Sequence, residues 1–237
     1  NDELDPHIPK AQLSSDSPKW YSLHNPGLSI LITPFVYIMG WKGAILAMIL
    51  INFLLLWLSY IWVKKTTNSN IAAIFSTLLL FGSTFYLGLV GYIFPDLLMA
   101  TIFLASILLM EKSVKTPLDY FLISILLGGA IWIHIKTALI VFTIGIIVLF
   151  ELVNKKESLN KKWPKLSSLI LPALILLGLF EWKLFTWYGT FLPTKTFASD
   201  QMFQLSPLYS LTAMMFDSAK GILTNNPAFF ICFIGLP

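Results

Sequence analysis

The sequence predicts an all-α fold, a polytopic bundle of transmembrane helices with about six full spans, one truncated span and an outer juxtamembrane helix. Three observations predict it. Of the 237 residues, 57% are hydrophobic and only 12% are charged, whereas soluble domains carry roughly 25% charged residues. Apolar runs of about 20 residues recur, which is the length that crosses a hydrocarbon core of ~30 Å. Lysine is concentrated in alternate connections between these runs, as expected at one face of a membrane.

Apolar windows define the predicted crossings. The short apolar segment 26–39 contains Pro34 and precedes the first crossing without a charged loop, so we expect a helix along the outer interface. The chain then forms one membrane domain with an outer loop and juxtamembrane helix (1–42), a helix bundle (43–187), an outer loop (188–227) and the start of a further span (228–237). The six crossings are residues 43–62, 71–90, 96–110, 121–135, 137–153 and 166–187.

The lysines predict how the bundle is oriented. Every basic residue of the chain is a lysine, and three connections concentrate them: 64–65, 112–115 and 155–165. The positive-inside rule places these connections at the cytoplasmic face. The segment before residue 43, the turns at 92–96 and 134–136, and the stretch 188–227 then face outside. No interleaving of basic and aromatic residues indicates a nucleic-acid partner. The single cysteine, Cys232, provides neither a disulfide framework within the chain nor a cysteine-based metal site.

Isolated ionisable side chains on the outer connections are the candidates for chemistry, because an ionisable residue at membrane depth costs about 2.5–3.5 kcal/mol. Asp96 directly follows Pro95 at the start of a predicted span. It either borders a site or marks a helix start, where the helix dipole favours a carboxylate. His134 and Lys136 are suited to bind an anionic headgroup or phosphate. The alternative is a snorkelling lysine beside an interfacial histidine.

The other candidates lie near the two ends of the chain. The acidic residues 2, 3 and 5 suit a divalent cation or a general base, or else form a solvated acidic run. The late segment "FDSAKGILTNNP" is either a substrate-facing loop or a re-entry turn before a capped helix. Glu181 and Lys183 are interpreted as interface residues, because side chains two positions apart do not share a helix face. The candidates in these segments are Asp2, Glu3, Asp5, His24, Asp217, Lys220 and Asn226.

Five stretches, in this order, carry a resemblance to a known family: "YSLHNPGLSILITP", "GYIFPDLLMA", "WIHIKTALI", "WYGTFLPTK" and "FDSAKGILTNNP". They resemble the GT-C superfamily of membrane glycosyltransferases, and most of all its dolichyl-phosphate-mannose protein mannosyltransferase-like branch in bacteria and archaea. The resemblance implies an enzyme of the prokaryotic cytoplasmic membrane. Such an enzyme moves a sugar from a polyprenyl-phosphate donor in the lipid bilayer to a protein, lipid or glycan acceptor at the extracytoplasmic face.

The resemblance also implies roles for the candidate residues. The segment His24 to Leu28 would begin the juxtamembrane helix that shapes the outer cavity. Asp96 matches the family's acid at the start of a span, and His134 with Lys136 matches a polar pair near the carrier phosphate. The segment from Asp217 to Asn226, with Lys220, matches part of the late outer loop.

Catalysis is where the chain departs from the family pattern. The family's base lies in the first outer loop, after a first span, often as Asp-Glu. Asp2, Glu3 and Asp5 are therefore the catalytic candidates. No span precedes them and the distance to "HNPGL" is short, so we expect the base upstream of Asn1 and the chain to be a fragment. A divalent cation is the one candidate cofactor, with no metal ligand assigned.

Two other functions fit the same pattern. A transporter or flippase also keeps an acid and a lysine at membrane depth, although it more often has broken mid-span helices or inverted repeats. A non-catalytic membrane subunit would use all these polar groups as interfacial anchors. The enzyme hypothesis requires Asp96, His134, Lys136 and the Asp217 loop to converge on one outer cavity, whereas a subunit would disperse them around the bundle.

Overall fold

A computed structural model describes residues 12–14, 17–21, 25–83, 86–87, 92–134 and 137–188. This part of the chain is helical apart from one antiparallel hairpin, in which β1 (Gln12–Ser14) pairs with β2 (Ser17–Tyr21). The sequence did not predict this hairpin. The helices are α1 (Gly27–Met39), α2 (Trp41–Thr67), α3 (Asn70–Phe81), α4 (Pro95–Met110), α5 (Pro117–Ile133), α6 (Ala138–Asn154) and α7 (Leu159–Tyr188).

Two of the described helices are long and apolar enough to cross a membrane. These are α2 and the stretch Leu159–Trp187 of α7. The other five have between 12 and 17 residues. At 1.5 Å per residue, a 17-residue helix is about 25 Å long, which is shorter than a hydrocarbon core of ~30 Å. Each predicted crossing overlaps a helix, but a bundle of six full spans is not confirmed.

Local signals explain where the helices begin and end. Thr116 and Asp119 form a reciprocal capping box at the start of α5, and Pro117 occupies its first turn, where a missing N–H costs nothing. The Ser69 hydroxyl accepts a hydrogen bond from the Ala72 amide at the start of α3. Asn68 ends α2 in the left-handed region, with φ of 53°. These caps replace backbone partners that helix termini lack.

Helix α5 lies at the centre of the core. Its residues Tyr120, Ile123 and Ile131 are almost completely buried, and they belong to a cluster with apolar residues of α4, α6 and α7. Gly128 permits the close approach of α7, because a β carbon there would lie 2.7 Å from Cδ1 of Leu176. Gly128 of α5 lies next to Leu176, and Trp132, one turn later, contacts Phe180. Because the contacts advance in the same direction along both helices, α5 and α7 run parallel. Helices α4 and α6 precede and follow α5 in the chain and pack against it.

The turn between α1 and α2 also depends on glycine. Gly40 joins the two helices with φ of 60°, a backbone conformation that residues other than glycine rarely adopt. A β carbon at Gly43 would collide with the carbonyl group of Phe35. The two helices therefore pack tightly against each other immediately after the turn.

The three lysine-rich connections lie together at one end of the helices, which we call the lysine end. Lys65, at the end of α2, is 3.2 Å from Glu111, and Lys115, before α5, is 2.7 Å from Glu151 near the end of α6. The Trp62 indole N–H also donates to Glu111 over 3.0 Å. These contacts tie the connections after α2, α4 and α6 into one network. The shared end is what the sequence predicts for clusters on a single membrane face.

Candidate functional site at the end opposite the lysines

The start of α1 is fixed to the last turn of α5, at the opposite end from the lysine connections. The side-chain amide of Asn25 donates to the carbonyl of Ile131 over 2.9 Å. The last carbonyls of a helix have no partner inside the helix, so this amide occupies an acceptor that would otherwise need water. A β carbon at Gly27 would lie 2.5 Å from the carbonyl carbon of Trp132. The "HNPGL" and "WIHIK" motifs are therefore in direct contact.

Trp132 connects this contact to α7. Its indole N–H donates to the carbonyl of Leu176 over 2.9 Å. Its ring meets Phe180 edge to face, with ring centroids 5.7 Å apart. Such aromatic pairs contribute about 0.5–1.5 kcal/mol beyond their buried area. The indole is therefore held in one orientation by a hydrogen bond and by a ring contact.

Lys183 lies between two indole rings at this end. Its ammonium nitrogen is 5.6 Å from the centroid of the Trp132 ring and 4.2 Å from that of Trp187, within the ~6 Å range of cation–π attraction. The side chain is half-buried. No carboxylate among the described residues forms an ion pair with it. The result is an oriented, partly desolvated cation, which suits an anionic ligand.

His134 ends α5 next to this cluster. Its backbone is extended, with φ of −154° and ψ of 117°, and its N–H donates to the Ala130 carbonyl over 2.9 Å. Its carbonyl accepts both the N–H of Thr137, over 3.0 Å, and the hydroxyl of Thr137, over 2.7 Å. The half-buried histidine is therefore held at a fixed break between α5 and α6, two residues after Trp132.

Asp96 lies at the same end of the helices as His134. It occupies the first turn of α4, after Pro95, and it is exposed. Helices α4 and α5 are joined at the lysine end, so the start of α4 and the end of α5 lie at the other end. The helix that the sequence predicts to start here is present. Within the described part of the chain, the carboxylate has no hydrogen bond or ion pair, and whether it also borders a site stays a prediction.

The remaining predicted site residues lie outside the described part of the chain: Asp2, Glu3, Asp5, His24, Lys136, Asp217, Lys220 and Asn226. Their convergence with Asp96 and His134 stays a prediction. Among the residues that the structure describes, no three His, Cys, Asp or Glu side chains are grouped in a way that holds a metal ion. The candidate divalent cation therefore also stays a prediction.

The described geometry adds four residues to the sequence-based candidates: Asn25, Trp132, Lys183 and Trp187. The spacing of Glu181 and Lys183 predicts two interface residues, because side chains two positions apart do not share a helix face. A different spacing indicates the contacts of Lys183. Phe180, Lys183 and Trp187 follow one another at intervals of three and four residues, so they lie on one face of α7. The partners of Asn25 and Trp132 lie on elements far along the chain, so no local pattern indicates them.

Comparison with protein family models, with curated proteins and with solved structures finds no significant match to this chain.

Proposed function

We propose that this protein is a GT-C type membrane glycosyltransferase that moves a sugar from a polyprenyl-phosphate donor to an acceptor at the extracytoplasmic face. One observation carries the proposal. The "HNPGL" segment meets the end of α5 opposite the lysine connections: the Asn25 amide donates to the carbonyl of Ile131, 106 residues along the chain, and Gly27 packs against the backbone of Trp132. A lipid-linked donor needs a site level with the headgroups, and the described groups Asn25, His134 and Lys183 lie at this helix end.

In this proposal, Lys183 binds the phosphate of the lipid carrier. The indole rings of Trp132 and Trp187 hold its ammonium group in place, and partial burial strengthens its attraction for an anion. His134 and Lys136 contribute further donors to the same phosphate. Cationic donors stabilise negative charge that develops on a leaving group. Phosphate binding therefore also favours departure of the carrier.

The transfer itself follows from these roles. An acceptor oxygen forms a bond to the anomeric carbon of the sugar as the bond from that carbon to the carrier phosphate oxygen breaks. A carboxylate takes the acceptor's proton, and the polyprenyl phosphate leaves with the bonding electrons. Asp2, Glu3 and Asp5 are the candidates for this base. Asp96 lies at the same end of the helices and borders the cavity in this proposal.

The membrane arrangement belongs to the same proposal. We place six crossings in the bundle, with the lysine end in the cytoplasm and the Trp132 end outside. The shorter helices fit if the bilayer thins locally around them, which costs only fractions of a kcal/mol per Å of mismatch. The exposed surface of α1 supports a position against the lipid, because none of its residues is buried and large apolar side chains such as Tyr37 and Ile38 are exposed.

Donor binding tests the proposal without requiring a complete catalytic centre. We would measure binding of a short-chain polyprenyl phosphate to the protein in nanodiscs, using quenching of tryptophan fluorescence. Removing one charge-assisted hydrogen bond costs about 1.5–3 kcal/mol. Lys183→Gln should therefore weaken binding by roughly 10- to 100-fold.

Lys42→Gln is the matched control, because Lys42 is exposed at the start of α2, at the same end of the helices. Its binding should equal that of the wild type. Unchanged binding by Lys183→Gln, or equal binding of the polyprenol without its phosphate, would refute the proposed site.

A transporter or flippase is the second candidate function, and buried polar atoms favour it. The side-chain oxygens of Asn52, Tyr120 and Ser124 are buried without a hydrogen-bond partner in the described structure, and polar groups at membrane depth often mark a substrate path. By contrast, Thr101 and Ser106 donate to carbonyls of their own helix and need no substrate. Substrate flux across proteoliposomes without sugar transfer would favour the transporter.

A further inference from the structure

The connection between α6 and α7, together with the first turns of α7, combines excess positive charge with exposed apolar side chains. We infer that this segment, residues 155–165, is an anchor that binds the headgroups of acidic phospholipids. We call it the α6–α7 anchor. The inference depends on the proposed membrane arrangement but not on the sugar-transfer reaction, so the two can fail separately.

The charge balance at the lysine end carries the first step. The three connections and the helix ends beside them contain nine lysines and four carboxylates, a surplus of five positive charges. Each of the four carboxylates already forms a salt bridge. Glu111 pairs with Lys65, Asp119 with Lys112, Glu151 with Lys115 and Lys155, and Glu157 with Lys165. The carboxylates of this end are therefore all paired, and the lysines without a carboxylate partner carry the surplus positive charge.

Of the lysines not paired with these acids, Lys156 and Lys161 are the most available. Lys162 donates to the carbonyl of Val153 over 2.7 Å, and the Lys64 ammonium lies 5.9 Å from the centroid of the Tyr60 ring. Lys156 and Lys161 are exposed, and within the described residues no carboxylate pairs with either. Both belong to the α6–α7 anchor. Their charge is open to an external anion.

Exposed apolar side chains on the same segment indicate that the anion is a lipid headgroup rather than a soluble anion. Leu159 and Trp163, four positions apart in the first turns of α7, are 78% and 69% exposed. Residues at this spacing share one face of a helix, and tryptophan is enriched where headgroups meet acyl chains. A soluble anion would use only the lysines. A lipid uses both features, because its phosphate meets the lysines while its acyl region covers Leu159 and Trp163.

The test measures binding of a fluorescent phosphatidylglycerol to the purified protein in micelles of a neutral detergent. Each lysine near an anionic membrane surface contributes roughly a fivefold gain in binding. The double variant Lys156→Gln/Lys161→Gln should therefore bind phosphatidylglycerol about 25-fold more weakly than the wild type. Added salt should weaken wild-type binding and affect the double variant less.

Two controls make the result decisive. Lys42→Gln removes an exposed lysine at the other end of α2 and should leave binding unchanged, whereas Trp163→Ser should weaken binding without changing its salt dependence. Wild-type affinity in the double variant would overturn the inference. Displacement of the lipid by glycerol phosphate at an equal concentration would also overturn it, because the site would then belong to a soluble anion.

Discussion

At the scale of single residues, the acidic groups of this protein differ in what surrounds them. Asp119 is buried, and one carboxylate oxygen accepts from Lys112 over 2.6 Å while the other accepts from the Thr116 N–H over 2.7 Å. The bond from Lys112, followed by that from Thr116, lowers the pKa of Asp119 from 3.8 to about 2. The bond from Trp62 is the main reason that the pKa of Glu111 is lowered. The described acids of the lysine end therefore serve the structure of the bundle, whereas Asp96 has no such partner among the residues that the structure describes.

Asp119 should make the stability of the protein depend on pH. Because its pKa is lower in the folded than in the unfolded state, its contribution is complete above about pH 4. It is lost as the pH falls from about 4 towards 2. Asp119→Asn removes this carboxylate and should lower the free energy of unfolding at pH 7 by about 2 kcal/mol. Thermal unfolding in detergent between pH 7 and 3 measures both effects.

The comparison for this prediction is Asp96→Asn, which changes an exposed first-turn acid of another helix. A helix-dipole contribution at an exposed site is about 0.3–1 kcal/mol, so this variant should keep the wild-type loss of stability in acid. An Asp119→Asn protein that lost as much stability as the wild type between pH 4 and pH 3 would show that other groups cause the acid dependence.

At the scale of elements, apolar windows predict helix positions well and contacts poorly. The predicted crossing 121–135 corresponds to α5, but that helix begins at Pro117. The window misses the first turn because its capping residues, Thr116 and Asp119, are polar. The predicted crossing 71–90 is longer than α3, which ends at Phe81 before Gly82. The contact between Asn25 and Ile131 could not be predicted, because a single sequence does not indicate which distant segments meet.

The contact between the start of α1 and the end of α5 should be sensitive to one methyl group. In Gly27→Ala the new β carbon would lie 2.5 Å from the carbonyl carbon of Trp132. The backbone of α5 cannot move out of the way by rotating about a bond, as a side chain can. Such overpacking costs about 1–3 kcal/mol. We expect Gly27→Ala to lower the free energy of unfolding by this amount in a denaturant titration.

Gly129→Ala is the matched control for this substitution. A β carbon at Gly129 meets nothing within 4 Å, and replacing glycine by alanine inside a helix gains about 0.5–1 kcal/mol. The two variants should therefore change stability in opposite directions. Equal effects of the two substitutions would mean that the "HNPGL" segment does not pack against α5 as described.

At the scale of the whole molecule, the ion pairs of the lysine end decide which connections lie together. Lys65 with Glu111 and Lys115 with Glu151 place the connections after α2, α4 and α6 at one end. The alternation of lysine in the sequence predicts this grouping, because the positive-inside rule assigns all three connections to one face of a membrane. The sequence cannot predict which described polar groups meet at the other end, since their contacts are between α1, α5 and α7 rather than within one helix.

Crossing of the membrane by α4 is the prediction that depends on the whole arrangement. Single cysteines would be placed in a Cys232→Ser background at the exposed positions Tyr92, Ser113 and Asn160, and labelled with a membrane-impermeant maleimide from each side of sealed vesicles. Ser113→Cys and Asn160→Cys should react from the same side, because the Lys115–Glu151 pair joins their connections. Tyr92→Cys should react from the other side, because the 16-residue helix α4, about 24 Å long, separates it from Ser113. Reaction of Tyr92→Cys and Ser113→Cys from one side would show that α4 does not cross, and it would also contradict the proposed orientation of the Trp132 end.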